Sequence, residues 1–232
     1  MPMNKAAGNM YDFVTHTWNP VKGRCGYNCS YCYVKKIARR FGREQWGPYR
    51  DEKELKANLG EGNHIFVCSS CDLFHADVLG NYTAQVMAYS KKFPGNRYLW
   101  HTKNPRRALV FQDQFGENGM LCVTIESNIH RPEISKAPSP LERFVALVRW
   151  EKPWMLTIEP VMDFNLREFR ALIEMNMPVQ VNIGADSGNN NRPEPGAEKL
   201  RELIDWLKPL TKVVLKKNLA RLLPGLSGGK GA

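Results

Sequence analysis

Two hydrophobic periods alternate along this chain. Residues 64–69, 97–102, 120–126, 154–159, 179–183 and 212–215 are short runs rich in β-branched and aromatic side chains. Between them, 83–93, 105–111, 141–150, 166–175 and 198–207 place apolar residues at helical spacing. Strands alternating with helices of about ten residues predict βαβ units and a parallel sheet. Upstream, residues 11–18 alternate up to Asn19-Pro20 and predict a first strand. Residues 33–41 carry Val34, Ile37, Ala38 and Phe41 on one helical face, with Gly42 just past the end. Residues 43–62 are charged and weakly helical around Leu55 and Leu59. The expectation is an α/β fold, a parallel-sheet partial barrel of (β/α)6 type, with 212–215 as a short seventh strand. One domain over residues 1–223 and a flexible Gly-rich tail over 224–232 complete it.

Strand parity then sorts side chains into two faces, because successive residues point oppositely. Leu121, Val123 and Ile125 should face the helices, which leaves Cys122, Thr124 and Glu126 inside. By the same rule Thr157 and Glu159, then Gln180, Asn182 and Gly184, then Lys216, turn inward, as do Phe66, Cys68 and Ser70. The long polar segments 127–140 and 186–197 follow strands, and such loops rim the C-terminal face of β/α folds. A mouth lined by Ser70, Asp72, Glu126, Glu159, Asn182, Asp186 and Lys216 predicts a polar pocket. Glu126 and Glu159 pairing with Lys216 as a structural network is the alternative. Asp72 capping the following turn is another.

The candidate chemistry lies between the first strand and the first helix. Cys25, Cys29 and Cys32 stand at C-x3-C-x2-C spacing, with Tyr31 just before the last. Thiolates so close repel unless a metal neutralises them. Three are one short of a closed zinc site or a fully Cys-ligated cluster, which suits a 4Fe–4S cluster with one iron open. A zinc knuckle with a distant fourth ligand is the alternative. Cys68 and Cys71 form a C-x2-C pair whose spacing in extended chain points them apart. Cys71 is the better candidate of the two for the pocket, with a packed thiol as its alternative, and Cys68 and Cys122 read as buried thiols. His75, His101 and His130 show no ligand pairing, and the latter two lie near strand ends.

Composition narrows the setting. Hydrophobic residues make up 43% and charged residues 24% of the chain, ordinary for a globular protein, and no run of 18 apolar residues occurs. No membrane partner is therefore expected. The six cysteines do not resemble a secreted disulfide framework, so a reducing cytoplasm is the expected location. A net charge of +10, with Lys35-Lys36, Arg39-Arg40, Arg106-Arg107 and Lys216-Lys217 in pairs, favours an anionic substrate, nucleic acid among them.

The cysteine spacing and its aromatic resemble the signature of the radical S-adenosylmethionine (SAM) superfamily. Trp18-Asn19-Pro20, 70–75 (Ser-Cys-Asp-Leu-Phe-His), 102–105 (Thr-Lys-Asn-Pro), 124–126 (Thr-Ile-Glu), 158–160 (Ile-Glu-Pro) and 184–188 (Gly-Ala-Asp-Ser-Gly) resemble a phage- and prophage-associated branch related to spore photoproduct lyase. The resemblance implies a radical SAM barrel in which Cys25, Cys29 and Cys32 hold three irons while SAM takes the fourth. It also implies an external flavodoxin- or ferredoxin-like electron donor. Reductive cleavage of SAM would give methionine and a 5′-deoxyadenosyl radical that abstracts hydrogen from an unreactive C–H bond. Tyr31, Ser70, Asp72, Glu126, Ser127, Glu159 and Asn182 are the expected cofactor-binding residues, with Cys71 and Lys216 catalytic. The Gly-Gly-Glu usual after the second strand, which holds the SAM amino group, is here Ser69-Ser70-Cys71-Asp72. Three functions compete: nucleic-acid modification or repair, activation of a partner protein by hydrogen abstraction, and a non-catalytic zinc or nucleic-acid-binding module.

Overall fold

Each predicted βαβ unit forms because its strand has an apolar outer face and its helix an apolar stripe, so helix and strand bury each other. A computed structural model of the protein describes residues 3–8, 10–42 and 47–223. The strands are β1 (Asn4–Lys5), β2 (His16–Trp18), β3 (Val21–Lys22), β4 (Tyr49–Arg50), β5 (His64–Val67), β6 (Arg97–Thr102), β7 (Gly119–Thr124), β8 (Trp154–Ile158), β9 (Gln180–Ile183) and β10 (Lys212–Leu215). The helices are α1 (Tyr33–Arg40), α2 (Gly80–Ser90), α3 (Pro105–Leu109), α4 (Pro140–Leu147), α5 (Leu166–Glu174) and α6 (Ala197–Leu207). The main sheet runs β1-β2-β5-β6-β7-β8-β9-β10, parallel except for the antiparallel β1 edge. Its edges are β1 and β10, so it is an open, partial barrel with β10 as the seventh parallel strand. β3 and β4 make a separate antiparallel ribbon.

Parity holds along the sheet. Ile65, Val67, Leu121, Val123, Leu156, Ile158, Val181 and Ile183 pack into one large core with Met87, Phe144, Phe169 and Leu203 of the helices. A smaller inner cluster, Tyr11, Val14, Phe66, Leu99 and Cys122, plugs the barrel interior. Above it Thr124, Thr157, Gln180 and Asn182 are buried polar groups.

Three expectations need correction. Residues 11–18 are not one strand: pairing starts at His16, and Val14 N–H donates to Tyr11 O in a turn. The alternation there reflects Tyr11 and Val14 folding into the interior, not a ladder. Residues 47–62 hold β4 and a single 3-10 turn, Glu54–Lys56, instead of a helix, and Leu59 is buried in the main core. Parity also ends sooner than expected after β5. Cys68 takes a left-handed φ of 56°, so the alternation stops there, and Cys68 and Cys71 both pack into the main core at the cavity wall. The predicted tail 224–232 and residues 43–46 lie outside the described residues. No helix among the described residues is long and apolar enough to cross a membrane.

Candidate functional site

The C-terminal ends of the strands surround a cavity of about 670 Å³, a size that accommodates a small cofactor. Cys25, Cys29, Cys32 and Tyr31 of the loop before α1 line it. From the strand ends come Cys68, Ser70, Cys71, Asp72, His101, Lys103, Thr124, Glu159, Asp186 and Lys216.

The cysteine loop is held from two sides. Gly26 lies so close to His75 that an added Cβ would sit 2.5 Å from the imidazole Cε1, so a side chain there would lift the loop. Tyr27 packs edge-on against the same ring at 4.2 Å. On the other side the segment after β7 braces it: Ser30 N–H donates to Ile134 O at 2.8 Å and Lys136 N–H to Tyr27 O at 2.8 Å. Cys29 Sγ lies 3.1 Å from Ser135 Oγ. Burial, and then the charge of Asp72, push the Cys25 thiol up to about 12.

These thiols face one cavity but do not converge as placed. Among the described residues no group of three His, Cys, Asp or Glu side chains stands close enough to hold a metal ion. The donor chemistry nonetheless fits an iron–sulfur cluster. Three soft thiol donors from one short loop share a wall, and cavity volume remains beside them for a ligand on an open iron.

Tyr31 is pinned to the sheet. Its hydroxyl donates to Glu126 Oε1, which also accepts from Lys103 Nζ, and Arg143 Nη1 donates to Glu126 Oε2 at 2.8 Å. Lys103 Nζ reaches the Tyr31 oxygen at 2.6 Å. Burial disfavours the Glu126 charge, but Lys103 and Arg143 outweigh it and hold the carboxyl far below the usual range. Asp72 is equally engaged: it accepts from Thr102 Oγ1 at 2.8 Å, Lys103 N–H at 2.8 Å and Phe74 N–H at 2.9 Å. Burial still raises its pKa. It thus caps the following turn through Phe74 N–H, as the alternative reading expected, and also ties that turn to the end of β6. Asn19 explains the Trp-Asn-Pro piece, because its Oδ1 accepts from Ser69 Oγ, Ser70 N–H and Ser70 Oγ at 3.1 Å each.

Across the cavity Lys216 Nζ donates to Glu159 Oε2 at 2.7 Å and lies 4.7 Å from the Tyr11 ring centre. Thr124 Oγ1 and His101 Nε2 are 2.7 Å apart, and burial with Lys103 and Lys216 lowers the His101 pKa to about 3, keeping the ring neutral. Cys71 is held as a neutral thiol by burial and by neighbouring thiols, Cys25 first.

Of the residues expected to hold a cofactor, Tyr31, Ser70, Asp72 and Glu159 line the cavity, as do Cys71 and Lys216. Glu126, Ser127 and Asn182 do not. Glu126 is buried beneath Tyr31 by its two cations. Ser127 donates to Asp163 O and accepts from Ile129 N–H, which shapes a turn. Asn182 is held by Gln180 and Thr157 inside the sheet. The structural network expected of Lys216 is real for Glu159 only. Lys103, which stands in the 102–105 piece, and Arg143 are not among the residues expected to form the site. Lys103 follows a strand end directly, a signal that was readable. Arg143 looks like an ordinary solvent-facing helix position.

A family model described as "Protein of unknown function (DUF5131)" matches residues 9–205. No curated protein matches. Among solved structures, a spore photoproduct lyase double mutant with bound AdoMet and dinucleoside spore photoproduct superposes with TM-score 0.57 at 12% identity, covering 88% of this chain and 64% of that one. Spore photoproduct lyase complexed with dinucleoside spore photoproduct gives 0.54 at 12%, with the same coverage. A single mutant of that lyase gives 0.56 at 10%, covering 90% of this chain and 78% of that one. The chain therefore spans under two thirds of the length of the ligand-bound lyases. At these identities the likeness is one of fold, the open and mostly parallel barrel.

Proposed function

The chain belongs to the DUF5131 family, and from that premise we propose that it is a radical SAM enzyme acting on an anionic substrate. The observation that carries this reading is the placement of Cys25, Cys29 and Cys32 on one wall of a cavity at the C-terminal ends of parallel strands.

In this reading the three cysteines hold a 4Fe–4S cluster. Bound together, cluster and SAM supply one-electron chemistry able to attack an unactivated C–H bond. The chain's own residues do the rest. The Glu126–Lys103–Arg143 network fixes Tyr31 beside the cysteines. Ser70, oriented through Asn19, replaces the glycines of the superfamily pattern as a polar contact for SAM. Glu159 offers a carboxylate, with Lys216 as its counter-charge. The neutral His101 donates or accepts a hydrogen bond without adding charge. Cys71 is a neutral thiol on the cavity wall, so it can give a hydrogen atom to a substrate carbon radical: its S–H bond breaks, the C–H bond forms, and the unpaired electron moves to sulfur as a thiyl. Electrons come from a flavodoxin- or ferredoxin-like donor, and a reducing cytoplasm suits the free thiols.

A second reading rests on one observation. Cys71 shares the wall with the three loop cysteines, so four thiols could close a zinc site. Anaerobic reconstitution with iron and sulfide separates the two. The radical SAM reading expects about four irons per chain and 5′-deoxyadenosine once SAM and dithionite are added. Stoichiometric zinc with no 5′-deoxyadenosine overturns it.

A further inference from the structure

α1 begins one residue after the last loop cysteine, and none of its side chains is buried. Tyr33, Ile37 and Phe41 fall at i, i+4 and i+8, the last one residue past its end, and are 55%, 49% and 61% exposed. Such a stripe normally packs on a sheet. Here it is largely exposed, with Arg40 over the Phe41 ring at 5.8 Å, and its Tyr33 end reaches the cavity mouth, which Tyr33, Val34 and Lys36 help to line.

The stripe is framed by cations whose direct hydrogen-bond acceptors are neutral, although Arg192 also feels the Asp186 carboxylate of its own loop. Lys36 Nζ donates to Gly188 O at 3.2 Å and Lys35 Nζ to Asn28 O at 3.0 Å. From the opposite side, in the loop between β9 and α6, Arg192 donates to Ser30 Oγ at 2.9 Å and to Asn190 O. Among the described residues none of the three is ion-paired. Lys36 at the cavity mouth, with Lys35 and Arg192 close by, places three cations without a direct ion pair among the described residues, and such a cluster attracts an anion. Exposed aromatics beside them offer faces on which bases stack.

We propose that α1 and the Arg192 loop form a docking site for single-stranded nucleic acid, which passes one nucleotide into the cavity between Lys36 and Arg192. Single strands are favoured over duplex because paired bases cannot reach Phe41 or enter the cavity. This rests on the radical SAM reading for what happens inside, but docking itself needs neither cluster nor SAM.

The test is fluorescence anisotropy of the full chain with a fluorescein-labelled oligo-dT and with a duplex of equal length, over a salt series. Lys36→Gln and Arg192→Gln should each weaken oligo-dT binding and lower the salt slope by about 0.7. Phe41→Ala should weaken it by about tenfold and leave the slope unchanged, since stacking is not ionic. Lys212→Gln, which removes the same charge at the other end of the sheet, is the control. Equal losses from Lys36→Gln and Lys212→Gln would show diffuse attraction and overturn the site, as would indifference to Phe41→Ala. If Phe41→Ala weakens poly-glutamate as much as oligo-dT, the face suits an acidic protein and the proposal falls. Cleavage of SAM without oligo-dT binding would leave the enzyme reading standing and sink this one. Docking without a cluster would do the reverse.

Discussion

The Tyr31 hydroxyl and the Glu126 carboxylate are hydrogen-bonded, joining the residue before the last loop cysteine to the residue two past β7. The loop is thereby tied to the sheet through a carboxylate that is itself buried between Lys103 and Arg143. Removing one member of a buried, paired network leaves uncompensated charge, at a cost of about 3–5 kcal/mol. Glu126→Gln should lose roughly that much in urea unfolding, whereas Tyr31→Phe should lose only about 1 kcal/mol. If Glu126→Gln is as stable as the parent chain, the network is not what anchors the loop.

The same carboxylate sets an acid limit. Its folded pKa is depressed, so its contribution is complete above the unfolded value of about 4.3 and is lost as pH falls below that. His101 acts earlier. Its folded pKa of about 3 lies below the unfolded value of roughly 6.5, so the unfolded chain binds the proton first. Stability should therefore fall from about pH 6.5 downward, by up to about 1.4 kcal/mol per pH unit from this group. His101→Gln should flatten the stability curve between pH 6 and about 4, while Glu126→Gln should flatten it only below that window. An unchanged slope in His101→Gln would mean that the ring is not held neutral.

The cysteines divide by role. Cys25→Ala, Cys29→Ala and Cys32→Ala should each abolish the brown cluster absorbance and all SAM cleavage, since each leaves one more iron without a ligand. Cys122→Ala should keep both, because Cys122 hydrogen-bonds Thr157 inside the sheet at 3.1 Å, away from the loop. Cys71→Ala should keep the cluster and SAM cleavage yet stall product formation. Loss of the bound metal in Cys71→Ala would favour the four-thiolate zinc site instead.

What the sequence revealed followed from periodicity. Inward parity correctly marked Thr124, Glu159 and Lys216, because Thr124 ends β7 and the other two come directly after β8 and β10, before the alternation is lost. It stops being a guide after Cys68, where a left-handed residue ends the alternation, and φ is not visible in a side-chain pattern. It failed at residues 11–14, since an interior plug and a strand edge both alternate apolar and polar. Arg143 could not be found from its own segment. Its neighbours on α4 read as an amphipathic helix opened by the Ser139–Glu142 capping box. Only the tertiary placement of Glu126 gives its guanidinium a buried partner.

Gly184 offers the most selective test of the far wall. It follows β9, and a Cβ there would stand 2.7 Å from Glu159 Cδ and Oε1. The obstructed atoms are the end of a flexible side chain, so Glu159 can swing aside without disturbing the backbone. Gly184→Ala should thus cost little stability, within about 1 kcal/mol, while displacing the carboxylate from Lys216. Glu159→Gln keeps the shape but removes the charge. If Glu159 contacts SAM, both variants should keep the cluster spectrum and bind SAM about tenfold more weakly in calorimetric titration. Normal SAM binding in both, with slowed turnover, would assign Glu159 and Lys216 to the substrate. Normal binding and turnover in both would leave the pair a purely structural bridge between β8 and β10.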